Sequence, residues 1–236
     1  MTTSPPAGPR WKPLDARQRR VLGVLIEKAK TTPAAYPITV NALVTGCNQK
    51  NNREPLTTYD DIDVEKALDE LRTLGVVSEI DWLGRVSKYK HSAYEWLGVS
   101  KPEIAIMTEL LLRGAQALGD LRGRAARMEP IADMAALKPI VDALVERGLV
   151  LELTPAGRGQ IVSHNLYLPQ ELGEVRAAIG GQARHSPMSS LDDEPAARER
   201  RTPESPRASA TAHTSQAVLA PGSDSVPSER VRALSA

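Results

Sequence analysis

The chain has 236 residues, with 30 Lys and Arg against 29 Asp and Glu. This near-neutrality excludes a global field of one sign that would steer it to nucleic acid or a membrane surface. A single cysteine, Cys47, excludes an internal disulfide and leaves any zinc site short of thiolates, so no metal and no cofactor are expected. No apolar run approaches the ~18 residues of a membrane span. Residues 1–13, MTTSPPAGPRWKP, read as a disordered arm without a signal-peptide core. The expectation is a soluble, cytoplasmic protein with no membrane partner.

The first predicted helix begins at Asp15, whose spacing to Gln18 is that of a capping box. Val21, Leu22, Leu25, Ile26 and Ala29 then recur on one helical face. A shorter helix over 39–46 turns Val40, Leu43 and Val44 inward. The polar run CNQKNNREP (47–55) follows, and then a third helix with Val64, Leu68 and Leu71 on one stripe, closed by Gly75 at a left-handed C-terminal position. The period next changes to that of a strand, VVSEID (76–81), a turn, WLGR, and a return strand, VSKYKH (86–91).

The same order of signals recurs. Ser100 and Glu103 have the capping-box spacing, and Ile106, Met107, Leu110 and Leu111 form an apolar face. A second helix over 117–128 is built around Leu118 and Leu121. A third carries Leu137, Val141 and Leu144 and closes at Gly148; Pro139 places its start near Leu137, so that the proline falls in the first turn. Strands over 149–154 and 160–168 complete the copy. Within 169–180, Leu172, Val175 and Ile179 recur at three and four, predicting a short helix that covers either the second domain or a dimer mate, so a homodimer stays open. From 181 to 236 large apolar residues are almost absent until Val218, and the segment reads as a disordered tail.

The repeat is also visible residue by residue. With 68–80 laid over 141–153, Leu71 falls on Leu144, Gly75 on Gly148 and Val77 on Val150, and further on His91 falls on His164 and Tyr94 on Tyr167. Three helices closing on a hairpin form the winged-helix variant of helix-turn-helix. The predicted fold is therefore mainly α with small β-hairpins (α+β): two tandem winged-helix domains, 14–98 and 99–180, the second with a short C-terminal helix, followed by the tail.

The run TTPAAYPITVNALVTGCNQKNNREP (31–55), the wing RVSKY (85–89) and LLLRGAQALGDLRGRAARM (110–128) closely resemble the YceH-like family of bacterial proteins, whose function is not established. The resemblance spans about 14–168 and implies a tandem winged-helix fold; it implies no activity.

Duplex DNA is the usual partner of a winged helix, with the third helix in the major groove and the wing on the neighbouring backbone. The candidate contacts are Asn48, Gln49, Lys50, Asn52 and Arg53 before that helix, and Arg85, Lys88 and Lys90 on the wing, where alternation makes the two lysines project together. The amides of CNQKNNREP can instead cap helix ends and tie down the loop, and both uses can hold together with Lys50 and Arg53 exposed. Against DNA stands DDIDVEKALDELR, whose expected outer face, Lys66, Asp69, Glu70 and Thr73, has two carboxylates among its four side chains. The reading is a DNA-binding or transcription-related regulator, with a protein-interaction adaptor that binds a basic protein partner as the alternative. Cys47 reads as a small buried side chain, and His91 and His164 as a repeated structural pair. No catalytic motif is recognisable, so no enzyme is expected.

Overall fold

The computed structural model describes residues 11–80 and 86–183. Most of the N-terminal arm, the turn with Arg85 and the tail from 184 lie outside the described residues. The described chain is mixed α/β, with eight α-helices and two small antiparallel sheets.

Helix α1 (Ala16–Thr31) opens on the expected capping box: Asp15 accepts from the Gln18 backbone N–H at 2.8 Å, and Gln18 accepts from that of Asp15 at 2.9 Å. Its stretch from Arg19 to Glu27 is buried on every side. A 3-10 turn (Pro33–Ala35) leads through Ile38 to α2 (Val40–Cys47), capped by Thr39. The loop 48–60 then reaches α3 (Asp61–Thr73), where Asp60 and Asp63 form a second capping box. Gly75, at φ 75°, ends this helix in the left-handed region that glycine enters without a Cβ clash, and Val76 N–H donates back to Leu71 O at 3.1 Å. β1 (Val77–Ile80) and β2 (Lys88–His91) pair antiparallel, and Ile38 bridges Tyr89 on the other edge of β2. A five-residue helix, α4 (Ala93–Leu97), follows; it is too short to leave a periodic signature.

The second half repeats this plan. α5 (Lys101–Arg113) is buried without interruption from Ile104 to Leu112, as α1 is from Arg19 to Glu27. β3 (Gln116–Ala117) pairs with β5 (Ile161–His164), as Ile38 does with Tyr89, and β5 pairs in turn with β4 (Val150–Glu152). Between β3 and β4 lie α6 (Leu118–Ala125) and α7 (Met134–Glu146). Gly148 closes α7 at φ 68°, with Leu149 N–H bonded to Leu144 O at 2.9 Å, just as at Gly75. Asn165 N–H to Leu149 O matches Ser92 N–H to Val76 O, both at 2.8 Å.

One boundary differs from expectation. α7 begins at Met134, with Pro139 inside it, because Asp133 accepts from Ala136 N–H at 2.8 Å and sets the first turn there. The carbonyl that Pro139 leaves without a donor belongs to exposed Ala135, where water can reach it. The expected helix over 169–180 is present as α8 (Pro169–Ala183), anchored by Glu171, which Arg19 of α1 grips with two hydrogen bonds at 2.7 and 2.8 Å.

α1 and α5 pack side by side at the centre, and one hydrophobic cluster runs from Leu14 to Leu166 through both halves. Each fully buried Leu or Ile in it contributes ~1.5–3 kcal/mol of transfer free energy. Among the described residues no helix is long and apolar enough to cross a membrane.

Candidate functional site

The loop 48–60 occupies a place that its counterpart, 126–133, spans with fewer residues, and its polar side chains mostly turn inward. Asn48 donates from Nδ2 to Tyr59 O at 2.7 Å, while its Oδ1 accepts from Tyr59 N–H at 2.8 Å and from the Thr57 hydroxyl at 3.1 Å. Gln49 Oε1 accepts from Arg53 at 3.1 Å. Asn52 sits at φ 60°, a left-handed position that Asn tolerates better than most residues, and its Oδ1 accepts from Arg113 at 2.8 Å.

Arg53 departs from expectation: it is 2% exposed. Its guanidinium donates to both Glu27 oxygens, at 2.5 and 3.3 Å, and to the carbonyls of Gly46 and Asn52. Glu27, only 4% exposed on α1, requires a cation, because a buried carboxylate without one carries its full desolvation cost. Arg53 is therefore closed to a phosphate oxygen. The loop's outward cation is Lys50, exposed beside Asn51, while Glu54 and Asp60 are exposed acids.

The ion pair continues into the second half. Arg127 lies 3.8 Å from Glu27 and 3.2 Å from Glu109, a fully buried carboxylate of α5. Arg113 Nε is 2.8 Å from the other Glu109 oxygen, an ion pair without hydrogen-bond alignment. Glu54 N–H donates to Leu112 O at 3.0 Å. The loop thus fastens α1 to α5. Sequence reading missed Glu27, Glu109 and Arg113; the available signal was a carboxylate interrupting an apolar run, Glu27 after Leu25 and Ile26, and Glu109 before Leu110. Arg124 turns away from Arg127 to Gln116 Oε1 at 2.5 Å.

The outward face of the first half is formed by α3 and the β1–β2 hairpin. Lys88 and Lys90 are exposed on one side of β2 while Tyr89 is buried, as alternation predicts. Arg85 lies outside the described residues. On α3 the outer stripe is Ile62, Glu65, Lys66, Asp69 and Thr73, with Ile62 74% exposed. Arg72 is engaged by Asp69 at 3.1 Å and Glu79 at 3.0 Å. Glu70, expected on that stripe, is instead half-buried and accepts from Gln18 at 2.8 Å.

Cys47 is fully buried, and burial pushes its thiol up to about 12. His91 Nδ1 accepts from Ala93 N–H and His164 Nδ1 from Leu166 N–H, both at 3.2 Å, so the two rings play one structural role. Burial holds His91 down to about 4 and His164 well below its ordinary range. Among the described residues no group of three or more His, Cys, Asp or Glu is placed to hold a metal.

The family model described as "Protein of unknown function, DUF480" matches residues 14–158, which reach from the N-cap region of α1 past β4. The chain belongs to this family. It is 58% identical over 160 residues to a UPF0502 protein of Rhodopirellula baltica, a match covering 68% of each chain. It is 49% identical over 135 residues to a UPF0502 protein of Pelobacter propionicus, covering 57% of this chain and 62% of the relative. A UPF0502 protein of Geotalea uraniireducens is 43% identical over 157 residues, covering 66% and 71%. These are uncharacterised bacterial proteins, in agreement with the YceH-like resemblance.

Proposed function

We propose that this chain is a non-catalytic tandem winged-helix protein that works as an adaptor, its first third helix and wing receiving a basic segment of a protein partner. The winged-helix reading is supported by the twofold order of helices, glycine-closed third helix and antiparallel hairpin. The partner reading is carried by the outer stripe of α3. In the duplex-binding arrangement that helix enters the major groove, where exposed Asp61 and Glu65 would repel phosphates against the attraction of Lys66, while Arg72 is already paired with Asp69 and Glu79 and Arg53 is buried. A basic segment meets the same carboxylates with attraction, and exposed Ile62 supplies an apolar contact at the end of the stripe.

Duplex DNA is the second reading, favoured by the joint exposure of Lys88 and Lys90 on β2. Fluorescence anisotropy of the full chain with a Lys/Arg-rich peptide and with a random-sequence duplex separates the two. The adaptor reading expects the peptide to bind, Glu65→Gln with Asp69→Asn to weaken it, and the duplex to be released at about 150 mM salt. Retention of duplex with a log–log salt slope near −2.7, the value for roughly three phosphates neutralised by Lys50, Lys88 and Lys90, together with no peptide binding, would reverse the assignment.

A further inference from the structure

On the side of the molecule that carries the loop 48–60, a cavity of about 150 Å³ lies between the two halves, with Arg19 and Arg20 of α1 and Arg113 at the end of α5 in its wall. Glu54, Tyr59 and Tyr167 also line it. Two of the three guanidiniums have their countercharge: Arg19 holds Glu171 and Arg113 lies against Glu109. Arg20 does not. It is 3% exposed, and its donors reach neutral acceptors, Cys47 O at 3.0 Å, Pro55 O at 2.7 Å and the Thr57 hydroxyl at 3.4 Å. Its Nε is buried without a partner, and among the described residues no carboxylate forms an ion pair with it. Burial and the neighbouring Arg53 charge both pull its pKa down, which is the expected response of a cation short of an anion.

A buried charge left in this state is costly. We propose that the cavity binds a small oxyanion, a phosphate ion or the phosphate group of a small phosphomonoester, held chiefly by Arg20 with Arg113 and Arg19 around it. At ~30 Å³ per water the volume admits roughly five water-sized atoms, which matches a phosphate and excludes a nucleotide from the cavity itself. Guanidinium is the side chain suited to this geometry, because its planar fork presents several donors to one oxyanion. Tyr59 also lines the cavity, and burial shifts its phenol further toward the protonated form, which can donate a hydrogen bond. Glu54 at the wall opposes the anion and sets its affinity. Because α1, the loop 48–60 and α5 all contribute, an occupant joins the two halves, and none of the stripe residues of α3 lines its cavity.

The test is thermal unfolding of the full chain in sodium phosphate against sodium chloride at matched pH and ionic strength. The midpoint should rise with the logarithm of phosphate concentration, as for any ligand of the folded state, and acetate should not reproduce the rise. Glycerol 3-phosphate distinguishes the sources: a larger rise than with phosphate identifies a phosphomonoester, a smaller one the free ion. Arg20→Gln should weaken binding at least ~10-fold, the loss expected for a charge-assisted hydrogen bond. Arg20 also ties down the loop, so Glu54→Gln, an exposed change, provides the second variant and should tighten phosphate binding severalfold. Equal midpoints in phosphate and chloride, an equal rise in acetate, or unchanged or weaker phosphate binding by Glu54→Gln would overturn the assignment.

Discussion

Arg53 and Lys50 stand three positions apart in one loop and obey opposite physics. Lys50 is exposed, where a single charge changes stability by no more than ~0.5 kcal/mol. Arg53 is enclosed with Glu27, and removing one member of a buried pair strands the other, at ~3–5 kcal/mol. Arg53→Ala should therefore lower the urea midpoint severely, while Lys50→Ala leaves it nearly unchanged. Arg53→Met combined with Glu27→Leu should recover much of the loss, because it removes both charges and keeps volume. An Arg53→Ala chain of full stability would show that the pair contributes nothing and that Arg53 is free to serve a ligand. CNQKNNREP itself showed that this loop does more than link, and its turn chemistry was legible in Asn48 and Asn52. The destination of Arg53 was not, because it depends on a carboxylate on another helix that only the folded packing brings near.

At the level of elements, local rules read the chain well wherever a cap or glycine marked an end. The Asp15 box, the Gly75 and Gly148 closures and the alternation around Tyr89 all stand where their signals lie. Two-residue β3 and five-residue α4 carry no period to read. α7 posed a conflict between two local rules, proline avoidance and the Asp133 cap; the cap sets the start, and the carbonyl left without a donor belongs to exposed Ala135. That outcome leaves one backbone hydrogen bond of the helix unmade. Pro139→Ala restores an N–H for Ala135 O and removes a ring from an exposed helix interior, so it should raise the thermal midpoint, with a gain of about 1–3 kcal/mol. A fall would mean that the proline ring stabilises α7 in a way its exposure gives no reason to expect.

For the molecule as a whole, the sequence repeat points to two separable units, yet α1 and α5 are each buried all round by parts of both. A helix of that kind cannot keep its apolar surface covered alone. Gly23 of α1 lies against α5: an added Cβ there would lie 2.8 Å from Leu112 Cδ2 and 3.4 Å from Leu111 Cβ. Replacing Gly by a residue with a side chain favours helix formation by up to ~1 kcal/mol, but wedging a branched side chain into a packed seam costs about 1–3 kcal/mol, more where neighbours cannot move. Leu112 is fully buried, so the second effect should win for Gly23→Val. The informative readout is cooperativity. If the halves share one core energetically, urea unfolding followed by tryptophan fluorescence and by far-UV circular dichroism should give one coincident transition in the wild type, and Gly23→Val should move both probes together to lower urea. Separate transitions, with only one displaced by the substitution, would instead make the repeats independent folding units that merely touch at α1 and α5, and the buried pairs of Glu27 and Glu109 would then act as an interface between them.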